Sequence, residues 1–189
     1  MNRVILRNNL RALGIHFALS VAGILSLFVV QAVLSLVFNL MESSIEPLWF
    51  GYAYFLIPVV VGSFVYIVCS YLFLKSVEEK PLLSVSGLAF LTIFVGIIFG
   101  IAHIVLDFPV FSEPATLGDA ATLLLILFNT LGFGVVTLFL TEGNLPDGAL
   151  SFIIVLFISI LPPTLFYVGL RLKIWRESRQ EITKEGVHE

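Results

Sequence analysis

The sequence predicts an all-α fold, a polytopic membrane helix bundle of five hydrophobic helices. Three observations predict it. Of the 189 residues, 59% are hydrophobic and only 12% are charged, whereas about a quarter of a soluble domain is charged. Mean hydropathy is +1.07. Charged residues are absent from five stretches, 12–41, 47–74, 81–106, 120–141 and 148–170, and each exceeds the ~20 residues a helix needs to cross ~30 Å of hydrocarbon. Transmembrane strands need only ~10 residues of alternating polarity, and backbone groups in lipid must bond internally. The stretches are therefore expected to be helices, at about 14–38, 50–74, 83–106, 120–141 and 149–172. They form one domain spanning 1–189, with a short basic N-terminus and a charged C-terminal tail.

The first stretch follows Arg3, Arg7 and Arg11 but runs on to about Phe38 with no clear small-residue cleavage site. A signal-peptide core is only ~7–15 residues long, so a retained helix is expected. Gly14, Ala18, Ala22 and Ser26 recur along it every four residues. Small residues at that spacing let helix backbones approach closely where no hydrophobic effect drives association. Gly96 and Gly100 repeat the pattern in the third stretch. The spacing leaves open whether the partner helix belongs to the same chain.

The fourth stretch poses a topological question. All ten Lys and Arg lie in three clusters: Arg3, Arg7 and Arg11; Lys75 and Lys80; and Arg171, Lys173, Arg176, Arg179 and Lys184. Basic clusters prefer the cytoplasm, but five crossings place the last cluster opposite the first two. An even number of crossings places all ten inside. Only the fourth stretch lacks Lys and Arg on both flanks, and its centre reads Phe128-Asn129-Thr130-Leu131-Gly132-Phe133-Gly134. It is either an ordinary fifth span or a re-entrant segment sheltered by other helices.

Pro162-Pro163 interrupts the fifth stretch. Two missing N–H groups free the carbonyls of Ile158 and Ser159, so a kink or break is expected, with Ser159 and Thr164 available to bond the freed groups. Pro58 is a weaker case in the second stretch. Residues 174–189 mix bases with Glu177, Glu181, Glu185 and Glu189, and are expected to form a solvated tail in preference to a helical extension.

Few polar residues are candidates for chemistry. His103 and Asp107 are four apart and share a face with Gly96 and Gly100; either Asp107 stands at the water interface capping the following loop, with His103 bonded to backbone or water, or the pair is buried against another helix and coupled. Gln31 and Asn129 are the deepest amides, expected to bond between helices or to line a cavity. His16 is expected to snorkel near the boundary beside Arg11. Trp49, Tyr52, Tyr54 and Trp175 fit interfacial belts, and Cys69 reads as a small apolar residue.

No catalytic, cofactor or metal site is expected. One cysteine excludes a disulfide framework, and HExxH, GxSxG, Walker A and CxxC motifs are all missing. A net charge of −3 gives no nucleic-acid surface. The expected partners are the lipid bilayer and another membrane protein or a second copy. The expected location is the plasma membrane with the N-terminus cytoplasmic. The leading function is a non-enzymatic accessory or subunit protein acting through helix packing. The alternative is a small-solute or ion transporter or channel using Gln31, Asn129 and the Pro162-Pro163 break.

Overall fold

The computed structural model of the chain describes residues 3–40, 47–78, 80–101, 128–131 and 149–185. The elements are α1 (Arg3–Leu40), α2 (Pro47–Phe73), a 3-10 turn (Leu82–Ser84), α3 (Ser86–Gly100), α4 (Ala149–Ser159) and α5 (Leu161–Glu185). No strand occurs among the described residues. Among the described residues, three helical stretches are long and apolar enough to cross a membrane: Arg3–Val37, Leu56–Phe73 and Ile153–Gln180. Of the expected fourth helix, only 128–131 lies within the described residues.

Side-chain bonds fix the helix directions. Asn8, near the start of α1, donates from Nδ2 to the Lys75 carbonyl at 2.8 Å, and its Oδ1 accepts from the Lys75 N–H at 3.0 Å. The beginning of α1 therefore meets the end of α2, and the two run antiparallel. Asn9 donates to the Leu83 carbonyl at 2.7 Å and accepts from the Gly87 N–H at 2.7 Å, which brings the start of α3 to the same end. Phe166 packs on Tyr66, and Lys173, midway along α5, donates to the Leu74 carbonyl at 2.7 Å, so α5 runs parallel to α2. These bonds gather the three basic clusters at one end of the bundle.

That end also holds most of the apolar core. Ala12, Leu74, Val85, Leu88, Phe166, Leu170 and Ile174 form one buried cluster that reaches Tyr66 and Leu131. The α2–α5 seam is closest at Gly169, where an added Cβ would overlap Ser70 Oγ and the Ile67 carbonyl oxygen. Tyr66 and Phe166 pack edge to face along the same seam, centroids 5.4 Å apart. Gly96 and Gly100 are buried, and a Cβ on Gly96 would overlap Ser159 Oγ and lie 2.8 Å from Ser159 Cβ. Here α3 lies directly on α4.

The Gly14, Ala18, Ala22 stripe is not covered by the described residues. All three residues are exposed, and a Cβ on Gly14 would have no neighbour among the described residues. The face of α1 that is covered carries Ile5, Asn8, Ala12, His16 and Ser20, offset from the expected stripe. Hydrogen bonds from Asn8 and Asn9 set the rotation of α1, and the small residues consequently turn outward.

The fifth stretch breaks at Ile160, a turn between α4 and α5. Pro162 and Pro163 then fall in the first turn of α5, where an N–H has no helical partner to lose. The turn is closed by Ile160 N–H to the Phe157 carbonyl at 3.2 Å and Thr164 N–H to the Ile160 carbonyl at 3.1 Å. The hydroxyls act differently from expectation. Ser159 Oγ donates to the Val155 carbonyl and Thr164 Oγ1 to the Ile160 carbonyl, both at 2.8 Å. Ser159 bonds within α4 and Thr164 bonds the turn residue Ile160, each four residues back, and neither bonds the carbonyl of Ile158 or Ser159.

The expected solvated tail is also corrected, because α5 remains helical to Glu185. Its polar half is tied to the end of α2: Arg176 donates to Tyr71 Oη at 2.5 Å, and Ser76 Oγ donates to Glu177. α1 likewise starts at Arg3, well ahead of residue 14, because its first turns are anchored through Asn8 and Asn9.

Two glycine substitutions should therefore behave oppositely. Gly169→Val forces a backbone carbonyl to shift and should cost about 1–3 kcal/mol or more. Gly14→Ala meets open space and should stabilise by up to about 1 kcal/mol through helix propensity. Unfolding midpoints in detergent micelles would check both signs.

Candidate functional site

His16, Ser20, Tyr66, Asn129 and Thr130 are buried together where α1, α2 and the 128–131 segment meet. Phe128, Thr130 and Leu131 are helical but Asn129 between them is not. A backbone interruption frees carbonyls and amides, and in a buried setting those groups need partners from elsewhere. The Phe128 carbonyl finds one in His16, whose Nε2 lies 2.5 Å away.

A carbonyl only accepts, so these partners assign the His16 proton to Nε2. The other ring nitrogen, Nδ1, then accepts from Tyr66 Oη at 2.8 Å. The chain of donors runs from the Tyr66 hydroxyl through the imidazole to the Phe128 carbonyl and spans three elements. His16 and Tyr66 are 1% and 3% exposed. Thr130 adds a second tie, donating from Oγ1 to the Ser20 carbonyl at 2.9 Å.

Two glycines let the segment sit so close. A Cβ on Gly23 of α1 would lie 3.0 Å from Thr130 Cγ2, and one on Gly62 of α2 would lie 3.2 Å from Leu131 Cδ1. Between them is a cavity of about 40 Å³ walled by Leu19, Pro58, Val59 and Leu131, with Tyr66 and Thr130 as its polar edge. That volume admits water but no larger solute.

The expected site residues separate. Asn129 is buried in this cluster. Gln31 is exposed on α1, eleven residues past Ser20 and so ~16 Å further along the helix; it does not join Asn129. Pro162 and Pro163 are buried one turn before Phe166, which touches Tyr66. His103 and Asp107 lie outside the described residues. His16, expected at the boundary beside Arg11, is instead inside the bundle, while Arg11 reaches the Phe73 carbonyl. Sequence reasoning missed His16, Tyr66, Gly23 and Gly62 as a unit. The available signal was the four-residue repeat of Asn8, Ala12, His16 and Ser20, the most polar line on α1.

Among the described residues no group of three His, Cys, Asp or Glu side chains could hold a metal ion. The arrangement positions backbone and closes a helix gap. The chain matches no protein-family model, and neither a curated protein nor a solved structure shows significant similarity to it.

Tyr66→Phe and His16→Leu should be coupled. Interhelical bonds in a membrane protein are worth about 0.6 kcal/mol on average and up to about 1.7, and this one also supports the Phe128 carbonyl. A double-mutant cycle by reversible unfolding in mixed micelles should return a coupling in that range. Additivity within about 0.3 kcal/mol would remove the link.

Proposed function

We propose that this chain is a multi-pass integral membrane protein of the plasma membrane, a non-enzymatic accessory or subunit protein that packs against a partner through α1. The observation that carries the reading is the division of α1 into two faces. Asn8, His16 and Ser20 are buried on one face. The other presents Gly14, Ala18 and Ala22 openly, small residues at the spacing that brings helices into close contact in lipid. The cavity that the described residues form between α1, α2 and the 128–131 segment is water-sized, which supports binding in preference to passage.

In the membrane, the gathered basic clusters belong to the cytoplasmic side, with both described ends of the chain. The crossings are then even in number. On this reading the first, second, third and fifth hydrophobic stretches each account for one crossing. The fourth of the five hydrophobic segments enters and leaves on the acidic side, with the Asn129 interruption supporting its turn inside the bundle. All five segments belong to one domain over 1–189.

Both parts can be tested. With Cys69→Ala as background, single cysteines at Glu79 and Glu185 should be labelled from the cytoplasm and one at Ser44 from outside. Labelling of Glu185 together with Ser44 would restore five full crossings. A photo-crosslinking residue at Ala18 should yield a discrete protein adduct in native membranes. The same residue at Phe157, exposed on α4 away from small residues, should capture lipid only. Absence of a protein adduct at Ala18 would remove the subunit reading.

A second reading, a small-solute or ion carrier, draws on the interrupted backbone at Asn129, since broken segments at membrane depth line sites in transporters. It requires the bundle to open well beyond the present cavity, and Gln31 has no part in it. Flux into proteoliposomes that is abolished by Asn129→Leu would favour it.

A further inference from the structure

We propose that the outward face of α5 is a binding site for an anionic glycerophospholipid at the basic end of the bundle. The inference rests on the membrane reading above. Tyr167, Arg171, Trp175 and Arg179 follow one another at four-residue intervals, so they form a ladder of alternating ring and cation along one side of the helix. The ladder is a formed structure at its lower end, where the Arg179 guanidinium lies over the Trp175 ring, 4.4 Å from its centroid. Tyr167, Val168, Arg171, Leu172 and Trp175 line an open groove of about 490 Å³.

The groove has two chemical parts. Val168 and Leu172 are apolar and exposed, and Trp175 is 55% exposed. Arg171 is exposed and is the first charge after the uncharged 148–170 stretch, so it stands where hydrocarbon gives way to headgroups. It forms no ion pair among the described residues. The nearest acid downstream, Glu177, accepts instead from Ser76 beyond the end of α2. A planar guanidinium donates two parallel N–H bonds to phosphate oxygens, and an indole sits at the headgroup level with its N–H available. An acyl chain leaving that headgroup runs over Leu172 and Val168 toward the start of α5, which is the direction into the membrane. A free phosphate would use Arg171 and leave the apolar part of the groove uncovered. The apolar floor therefore selects a lipid as occupant.

The test uses the full chain with Trp49→Phe, which leaves Trp175 as its sole tryptophan. The protein is reconstituted into phosphatidylcholine vesicles containing a minor fraction of phosphatidylglycerol, with bromine near the glycerol end of one acyl chain of either lipid. Brominated phosphatidylglycerol should compete for the site about fivefold better than brominated phosphatidylcholine, the worth of one cation at a charged membrane surface. Trp175 quenching reports that ratio. Arg171→Gln should bring it to one. Arg3→Gln, which removes the same charge from the same end away from the groove, should leave it unchanged. Equal quenching by the two lipids, or equal loss in both variants, would overturn the site while leaving the membrane reading intact. Relief of the preference by millimolar inorganic phosphate would reassign the site to a free anion. Failure of the protein to float with the vesicles would overturn the site and the membrane reading together.

Discussion

The bundle depends on how α2 ends. The last carbonyls of a helix have no partner within it, and the end of α2 lies where α1, α3 and α5 converge. Arg11 donates to the Phe73 carbonyl at 3.2 Å, Lys173 to that of Leu74 at 2.7 Å, and Asn8 to that of Lys75 at 2.8 Å. Two of the three donors are cations, which the negative end of a helix dipole also favours. One terminus thus recruits the beginning of α1 and the later half of α5, and with them the directions of both helices. The glycine contact at Gly169 and the Tyr66–Phe166 pairing follow once α5 is held beside α2.

A second constraint is the cost of irregular backbone in a dry interior. Two interruptions among the described residues have opposite solutions. At Ile160 the break is local: a turn closes it, and the prolines occupy positions where a missing N–H removes no bond. At Asn129 the freed Phe128 carbonyl is bonded from a distance by His16, which Tyr66 holds in orientation. The first break changes the course of one segment. The second ties three segments into a unit, so its side chains are the ones whose loss should be felt across the structure.

Much of the architecture was legible in the sequence. Long uncharged stretches marked α1, α2 and the α4–α5 stretch, and the proline pair marked the break. Orientation was harder to read, for a physical reason. In a soluble helix the apolar face points inward, but in a chain this hydrophobic every face is apolar, and hydropathy loses its sense of direction. Gly14, Ala18 and Ala22 match a contact face by size, whereas the side that the described residues cover is set by Asn8, Asn9 and His16, through bonds to residues 50 or more positions away. The Gly23 and Gly62 contacts depended on where the 128–131 segment lies, and no local pattern encodes that. The charges of the tail carry no local sign of their partners, because Lys173, Arg176 and Glu177 bond residues at the end of α2 about a hundred positions earlier.

The cap on α2 also has a consequence for the order in which the chain can assemble. Asn8 and Arg11 are synthesised before the carbonyls they bond, so those two ties can close as soon as α2 has followed α1. Lys173 is made about a hundred residues after Leu74, and until then the Leu74 carbonyl must borrow its partner from water. The ties from Asn8 and Arg11 let α1 and α2 pair before α5 is made, with the Leu74 carbonyl still without its side-chain donor. Arrival of α5 supplies that donor through Lys173 and joins α1, α2 and α5 at one end of the bundle.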